Sequence, residues 1–362
     1  MRRKEQLDSL RKRLLKDTSE GVLISSEINQ RYLSDFDYTD GYLLILSEKA
    51  YLLADFRYIE AARKTVSSED FEVIMPEGSM LSEIALISEI NRLERIYVED
   101  ATLSCAMLEK LRDTVKSVEF VGGASAAIFD GRAVKFSWEL EKIAKAQSVT
   151  DKAFEYILGV IRPDMTEIEV ALELEFFMRR NGAEATAFET IAVSGKASSM
   201  PHGVPRNVKL EQGFLTMDFG AKVDGYCSDM TRTIVLGSAD DAMKRLYNTV
   251  LDAQMAALEM ICEGVECRGV DKVARDLIDN AGYRGCFGHS LGHGVGMYIH
   301  ESPRFSSSAP EGELLRRGNV VTVEPGIYIA GKYGCRIEDM IAIDCEGNMI
   351  NFTKSPKELI VI

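Results

Sequence analysis

The sequence predicts a mixed α/β protein of two domains, the second of them rich in antiparallel strands. The chain has 362 residues, whereas one domain usually takes roughly 100–200. Its first 120 residues alternate apolar runs with helical periodicity, and from Ala187 onward the pattern changes to strands and tight turns. With 46% hydrophobic and 28% charged residues, the composition is that of a globular protein.

Helices and strands alternate along the first domain, which predicts an α/β arrangement. Four residues separate the apolar runs 42–46 and 51–54, so these two strands are expected to form a hairpin. The expected helices are 5–15, 58–64, 79–92 and 105–116, and the expected strands are 21–24, 42–46, 51–54, 71–74 and 95–98.

A stretch of small residues and glycine at 121–136 indicates the domain boundary, and we place the domains at 1–128 and 129–362. A long helix is expected over 137–160. Thr166 and Glu169 form a Thr-x-x-Glu capping box that begins the next helix. Ile168, Leu172 and Phe176 recur at spacing four and predict that this helix packs through them.

Two hairpins are expected in the second domain, separated by helices at 242–263 and 270–281. The runs 214–219 and 230–236 flank Asp224-Gly225, a strong signal for a two-residue turn. Such a turn would place Asp218 opposite Thr231, with Asp229 two places away on the same face. The runs 320–329 and 336–343 predict the second hairpin, which can place Glu324 and Glu338 on one face.

Five residues in these segments could hold metal, four of them carboxylates in otherwise apolar, β-branched strands. Burying carboxylates there is costly unless a cation compensates. The chain has four His residues, and three of them lie inside one Gly-rich segment of twelve residues, 289–300. An oxygen-rich set with one imidazole suits a pair of divalent cations, whereas a structural zinc site would need more imidazoles or thiolates. The candidates are Asp218, Asp229, His293, Glu324 and Glu338.

Charge and cysteine usage limit the partners and the compartment. The net charge of −14 argues against nucleic acid and against anionic membranes as partners. No apolar run reaches about 18 residues, and the basic N-terminal stretch lacks the apolar core of a signal peptide. Seven Cys residues without a Cys-x-x-Cys pair indicate reduced thiols, so we expect a cytoplasmic protein.

The ordered ligand set Asp, Asp, His, Glu, Glu resembles that of the pita-bread metallopeptidases, the family of prolidase, aminopeptidase P and methionine aminopeptidase. The likeness covers about residues 134–362. The N-terminal 120 residues are similar to the creatinase-type domain of the proline-specific branch, with Asp55-Phe56-Arg57-Tyr58 in its usual place. The resemblance implies a catalytic domain of two pseudo-symmetric α/β halves around a curved antiparallel sheet, with two metal ions at its centre.

The resemblance also implies roles for the site residues. Asp218 would chelate one metal, Asp229 and Glu338 would bridge both, and His293 and Glu324 would hold the other. A water activated between the ions would be the nucleophile, and Glu324 would carry its proton to the leaving nitrogen.

Three further residues gain roles from the same likeness, whereas His289 has none and is expected to be structural. His202 and His300 match the substrate-binding His residues and could donate to the scissile carbonyl or the oxyanion. Arg336 would orient a ligand carboxylate.

The segment from His293 to Arg304, His-Gly-x-Gly-x-x-x-His-Glu-x-Pro-Arg, resembles compact prolidase-like enzymes of bacteria and archaea. It implies hydrolysis of the bond between an N-terminal residue and proline, with Arg304 binding the carboxylate of a dipeptide. Manganese is the metal expected, with cobalt or zinc as alternatives. By the same analogy we expect a homodimer. Two other functions stay open: an aminopeptidase P that takes longer peptides, and a non-catalytic peptide-binding module.

Overall fold

The protein divides into two compact units, the first ending at Arg132 and the second running from Ala133 to Ile362. The computed structural model describes residues 2–362, with side chains from Lys4 onward. The division falls four residues after the boundary expected from the sequence. Each unit has its own buried apolar core, so each is described by itself.

The first unit is an α/β arrangement, as the alternating pattern predicts, and its mixed sheet has six strands where the sequence indicated five. The strand order is β4-β3-β2-β1-β5-β6, in which β1–β2 and β2–β3 are antiparallel and the other pairs are parallel. The strands are β1 (Glu20–Ile24), β2 (Tyr42–Leu46), β3 (Ala50–Leu53), β4 (Glu72–Ile74), β5 (Arg95–Val98) and β6 (Glu119–Val121). The helices are α1 (Arg2–Leu14), α2 (Glu27–Ser34), α3 (Ile59–Thr65), α4 (Met80–Ile90), α5 (Cys105–Thr114) and α6 (Ala124–Ala133). The hairpin expected at β2–β3 is confirmed, with Leu43 opposite Leu52.

The second unit repeats one arrangement, a pair of helices followed by strands, so it has two halves. The helices are α7 (Ser137–Val160), α8 (Glu167–Arg180), α9 (Asp241–Met260) and α10 (Cys267–Ile278). The strands of the first half are β7 (Ala185–Thr186), β8 (Ile191–Ser194), β9 (Gly213–Phe219), β10 (Ala221–Val223), β11 (Tyr226–Cys227) and β12 (Met230–Leu236). Those of the second are β13 (Gly292–Gly294), β14 (Glu301–Phe305), β15 (Val320–Val323), β16 (Gly326–Ile329), β17 (Tyr333–Arg336), β18 (Asp339–Ile343) and β19 (Met349–Asn351).

Each helix pair packs on the sheet of its own half, which gives the unit two cores. Helices α7 and α8 bury their apolar side chains against β9 and β12, and α9 and α10 do so against β15 and β18. The strands β12-β9-β8 form one sheet and β14-β13-β15-β18-β19 another, with antiparallel pairing throughout. In the part of the chain that the structure describes, none of the helices is long and apolar enough to cross a membrane.

The first hairpin has the register expected from its Asp-Gly turn. Asp224 and Gly225 both have positive φ, 50° and 85°, the conformation that a two-residue hairpin turn requires. Asp218 pairs with Thr231, as predicted. The same register continues through β10 and β11, where Val223 lies opposite Tyr226.

The second hairpin is confirmed but is interrupted at its middle. Val323 pairs with Asp339 on one side of the interruption, and Gly326 pairs with Arg336 on the other. This register places Glu324 opposite Glu338, between the two stretches of pairing. The site residues therefore lie where the strands leave the regular ladder.

One packing expectation is wrong. Helix α8 begins with the expected capping box, in which Thr166 accepts from the Glu169 amide and Glu169 accepts from the Thr166 amide. Its buried face, however, is formed by Val170, Leu174 and their neighbours. The side chains of the expected stripe are 38% (Ile168), 40% (Leu172) and 55% (Phe176) exposed. Two apolar stripes with the same spacing of four run along this helix, and periodicity alone cannot tell which one meets the sheet.

Candidate metal centre and substrate pocket

The five candidate metal ligands come from the two hairpins and the strand beside the second one. Asp218 lies on β9, and Asp229 immediately precedes β12. His293 is the central residue of β13, Glu324 follows β15 and Glu338 precedes β18. The antiparallel registers fix the face of the sheet on which each residue lies. The positions of the donor residues are therefore determined by the backbone and not by their side-chain rotamers.

The donor atoms converge around the imidazole of His293. Its Nε2 lies 3.5 Å from the Asp229 carboxylate and 3.4 Å from that of Glu324. Asp229, His293 and Glu338 each offer one atom, and these three atoms lie within 4.8 Å of one another. The His293 Nδ1 lies 3.1 Å from the Gly294 carbonyl oxygen. A proton on Nδ1 leaves the Nε2 lone pair facing the carboxylates, the form that binds metal.

Burial shifts the pKa values of four members of this group, Asp229, His293, Glu324 and Glu338. Burial, and then the charges of neighbouring carboxylates, raise the pKa of Asp229 and of Glu338 well above their ordinary range. Burial raises the pKa of Glu324 to about 8 and lowers the pKa of His293 to about 3. A set of carboxylates that repel one another beside a neutral imidazole is arranged to receive positive charge.

The residues present fit divalent cations. Asp218 Oδ1 is buried and accepts no hydrogen bond among the described residues, which leaves one lone-pair site open to a cation. Mn²⁺ and similar ions bind carboxylate oxygens together with an imidazole. Among the described residues, the clustered donors are two carboxylates and one imidazole, with no thiolate. The chemistry of the donor set therefore agrees with a metal centre.

Arg336 fixes the orientation of the Asp218 side chain. Its Nη2 donates to Asp218 Oδ2 at 2.6 Å, and its Nε donates to Thr231 Oγ1 at 2.9 Å. Nη1 donates to the Tyr328 hydroxyl at 2.7 Å and to the Pro201 carbonyl at 3.1 Å. Because the guanidinium is planar and bonded along three edges, it holds the carboxylate in one plane.

Two threonines opposite the acidic residues complete the hydrogen bonds of the site. Thr231 donates to Glu338 Oε2 at 2.7 Å, and the Glu338 amide donates to the Thr231 carbonyl at 3.1 Å. Thr322 lies 3.4 Å from Glu324 Oε1, and its hydroxyl accepts from the His293 amide at 3.1 Å. Thr231 of the first hairpin thus holds an acidic residue of the second, whereas Thr322 contacts an acidic residue of its own hairpin.

Tyr328 and His289 belong to this network, although the sequence analysis named no role for Tyr328 and treated His289 as structural. The Tyr328 hydroxyl lies 3.0 Å from His289 Nε2 and accepts from Arg336. Burial raises the pKa of Tyr328 to about 12 and lowers the pKa of His289 to about 4, so both groups are neutral at neutral pH. Tyr328 lies four residues after Glu324 in the second expected hairpin, and that placement was the only signal in the sequence.

A cavity of about 500 Å³ opens over the carboxylates. His202, His300 and Arg304 line it together with all five candidate ligands, Arg336 and His289. The His300 ring lies 4.4 Å from the His293 ring, edge to face. Apolar side chains form much of the remaining wall, namely Phe188, Ile191, Val204, Pro205 and Ile299. Every site residue named from the sequence thus lines this one cavity.

Two family models match the chain. Metallopeptidase family M24 matches residues 141–344, and the Creatinase/Prolidase N-terminal domain matches residues 6–134. The chain belongs to metallopeptidase family M24. This membership confirms the expected pita-bread fold with a creatinase-type N-terminal domain, and it confirms the class of enzyme.

Relatives and solved structures are similar over nearly their whole length. The Xaa-Pro dipeptidase of Pyrococcus furiosus is 36% identical over 99% of this chain and 100% of its own. A solved Xaa-Pro dipeptidase from Bacillus anthracis is 39% identical with a TM-score of 0.93, covering 99% of this chain and 100% of that one. An X-Pro aminopeptidase structure from Thermotoga maritima is 34% identical with a TM-score of 0.89, covering 95% and 97%.

Proposed function

We propose that this chain hydrolyses the peptide bond between an N-terminal residue and proline, acting as an Xaa-Pro dipeptidase with two divalent metal ions. One observation carries the proposal: five metal-type donors line a single cavity together with three further imidazoles and two guanidinium groups. The similar Xaa-Pro dipeptidases support the choice of substrate. A peptide bond before proline is a tertiary amide, so a dedicated site is needed for it.

In this proposal each of the five donor residues would contribute ligand atoms to one or both metal ions. Asp218 would serve one ion, His293 and Glu324 would serve the other, and Asp229 and Glu338 would serve both. When bound, the ions lower the pKa of a water molecule and polarise the scissile carbonyl. Manganese is the proposed metal, with cobalt or zinc as alternatives, because oxygen donors outnumber the single imidazole.

The remaining side chains bind, orient and move protons. Glu324 would accept the proton of the attacking water and pass it to the leaving nitrogen, since its carboxylate lines the cavity beside the other donors. His202 and His300 donate to the carbonyl oxygen as negative charge develops on it. Arg336 keeps Asp218 in place through the contact at 2.6 Å.

Arg304 supplies the preference for dipeptides in this proposal. It is an exposed residue of β14 that lines the cavity, paired in register with His293. Its guanidinium can bind the C-terminal carboxylate of a dipeptide through two parallel hydrogen bonds. The apolar wall formed by Val204, Pro205 and Ile299 offers a surface for the proline ring.

The assembly is proposed by analogy with related enzymes, and the compartment is proposed from cysteine content and charge. We propose a homodimer in which residues 32–42 lie near the partner's cleft, by analogy with related two-domain enzymes. A cytoplasmic location fits seven free cysteines, and a net charge of −14 does not favour nucleic acid or membrane partners. Light scattering at assay concentration tests the dimer, and an active monomer would contradict it.

A rate comparison tests the function. Purified protein with defined Mn, Co or Zn is given Ala-Pro, Ala-Pro-Ala and Met-Ala-Ser. The proposal expects Ala-Pro to have the highest kcat/KM. A preference for Ala-Pro-Ala would make the chain an aminopeptidase P, which the similarity to the Thermotoga maritima X-Pro aminopeptidase keeps as an alternative. No cleavage together with tight peptide binding would indicate a binding module.

A further inference from the structure

An ion pair on α10 lies outside the metal centre and contacts the segment that leads into it. Asp271 and Arg275 are four residues apart, and the Asp271 side chain is buried. The Arg275 Nε donates to Asp271 Oδ2 at 2.9 Å, and Nη2 donates to Oδ1 at 2.8 Å. A buried carboxylate is costly without a cationic partner, and the planar fork of Arg275 matches its two oxygens.

The Arg275 guanidinium also binds the backbone that follows α10. Its Nη1 donates to the Phe287 carbonyl at 2.8 Å, and its Nη2 donates to the His289 carbonyl at 2.9 Å. The Phe287 ring is buried, and its centroid lies 4.4 Å from the guanidinium carbon. Arg275 therefore attaches residues 287–289 to the helix through two carbonyls and one aromatic ring.

Leu291 joins the same ion pair to two of the proposed metal ligands. Its amide donates to Asp271 Oδ1 at 3.1 Å, and its carbonyl accepts from the Glu324 amide at 2.8 Å. Leu291 is fully buried, and His293 follows it by two residues on the same stretch of backbone. The backbone positions of Glu324 and His293 are therefore both tied to the Asp271 carboxylate.

The Asp218 side of the metal centre is fixed by other contacts. Asp218 is held by Arg336 and by the register of the first hairpin. Among the described residues, the side-chain hydrogen bonds of Asp271 and Arg275 go only to each other and to residues 287–291. The ion pair thus contacts the backbone near one proposed metal position and not near the other.

We propose that this ion pair positions the two metal ligands nearest to it, His293 and Glu324, and so sets the affinity of the metal position that they form. Asp271 and Arg275 are thus positioning residues and touch neither metal nor substrate. The inference rests on the proposed function, in which Asp218 serves the other ion. Ligand atoms bind a cation tightly only at a fixed spacing, and partners behind the ligands maintain that spacing. Here the spacing depends on a backbone segment that the ion pair attaches to α10.

Calorimetric titration of the full-length protein with Mn²⁺ measures the affinities of both metal positions. Arg275→Lys keeps a positive charge, but one ammonium group cannot reproduce the fork that serves Asp271 and two carbonyls at once. One of the two ions should then bind about 10- to 100-fold more weakly, the usual loss when a partner of a metal ligand is altered, while the other is unaffected. Equal weakening of both ions, or of neither, overturns the proposal.

The matched control is Lys272→Met on the same helix. Lys272 pairs with Asp276 at the same spacing of four residues, and the two side chains are 71% and 55% exposed. Exposed pairs of this kind contribute little, so the variant should bind both ions as the parent protein does. Metal affinities that fall in Lys272→Met as in Arg275→Lys contradict a specific role for Arg275.

Variants of Asp271 separate positioning from a purely structural role. Asp271→Asn keeps an oxygen that accepts from the Leu291 amide, whereas Asp271→Leu removes it, so the affected ion should bind more weakly in the second variant. Asp271→Leu with Arg275→Met removes both buried charges and should recover most of the Tm lost by Asp271→Leu alone. Metal affinity should stay low, because the Leu291 amide still has no acceptor. Recovery of metal affinity together with Tm overturns the proposal.

Amide hydrogen exchange distinguishes this inference from the proposed function. Exchange is followed by mass spectrometry over peptides that span residues 287–293. These amides should exchange faster in Arg275→Lys and Asp271→Leu than in the parent protein, and Lys272→Met should not differ from the parent. A parent protein that binds no metal and cleaves no Xaa-Pro peptide overturns the proposed function, while faster exchange still supports the attachment of this segment to α10. Unchanged exchange overturns the inference.

Discussion

The Arg336 guanidinium and the Asp218 carboxylate form a buried ion pair, with Nη2 2.6 Å from Oδ2 and side chains 4% and 14% exposed. The other nitrogens of Arg336 donate to neutral oxygens of Thr231, Tyr328 and Pro201. One oxygen of Asp218 is thus fixed by an arginine, and its other oxygen has no protein partner among the described residues.

Replacing Arg336 by lysine keeps the charge and removes the planar fork. We expect Arg336→Lys to reduce metal affinity or kcat about 10- to 100-fold, the usual loss when a partner of a metal ligand is altered. Isothermal titration with Mn²⁺ and steady-state rates on Ala-Pro measure the two effects. Unchanged values of both would show that the oriented contact is dispensable.

The metal requirement is tested by affinity and by stability as well as by rate. Asp229→Asn removes a shared carboxylate, so we expect loss of most activity and a weaker rise of Tm on adding Mn²⁺, because binding to the folded state alone stabilises it. Asp252→Asn, an exposed position on α9, serves as the control. Full activity of a thoroughly chelated preparation would refute the two-metal proposal.

Arg304 should decide peptide length. We expect Arg304→Ala to lower kcat/KM for Ala-Pro about 10- to 100-fold, the loss of a charged hydrogen bond of roughly 1.5–3 kcal/mol. Ala-Pro-Ala carries its carboxylate elsewhere and should be affected much less. Arg284→Ala, with a side chain 83% exposed, is the control. Equal losses on both peptides would mean that Arg304 does not bind the dipeptide carboxylate.

Glu167 should give the protein a pH-dependent part of its stability. Burial alone would raise its pKa, but hydrogen bonds from Arg206 and Ser194 outweigh it and hold the pKa below the ordinary value of 4.5. A lowered folded-state pKa gives stability that is complete above pH 4.5 and is lost as pH falls through the folded-state value.

Glu167→Gln should therefore cost about 2 kcal/mol at pH 7, and the difference should shrink below pH 4.5. The loss is modest because the Arg206 side chain is 39% exposed, so solvent screens its charge. Urea unfolding of parent and variant between pH 3 and 7 is the measurement, with Glu259→Gln on the exposed face of α9 as control. A gap that stays constant with pH would contradict the assignment.

The two apolar stripes of α8 should differ in their contribution to folding. Leu174 is fully buried, so Leu174→Ala should cost about 2.7–5 kcal/mol of unfolding free energy. Leu172 is 40% exposed, and Leu172→Ala should cost less than about 1 kcal/mol. Equal losses from denaturant titrations would show that both stripes are covered in solution.

Local rules were sufficient to predict the hairpins and the register of the first one. A two-residue turn leaves only one pairing, so Asp224-Gly225 fixes Thr231 opposite Asp218. The spacing along the strands then predicted on which face of the sheet each acidic residue lies. The family resemblance supplied what spacing cannot, namely that residues from both hairpins and β13 line one cavity.

Packing between segments that are distant along the chain could not be predicted from the sequence. The face of α8 that meets the sheet depends on the shape of that sheet, and both stripes had the same period. Tyr328 enters the network because Arg336 reaches it from the opposite strand, and His289 enters through its contact with the Tyr328 hydroxyl. Lys135 carries no motif, yet its side chain is buried beside Glu301, with Nζ 3.0 Å from Oε2.

The hydrogen bond from Thr231 to Glu338 has a consequence for the order of folding. It joins residues 107 positions apart, and each of them belongs to a half with its own core. Local collapse of either half involves much shorter loops, so the halves are expected to form first and the junction afterwards. The ligand geometry then exists only after the last long-range step. Cations that bind at that stage would hold the two halves together. Slow dissociation of the metal would then delay unfolding of the whole catalytic unit.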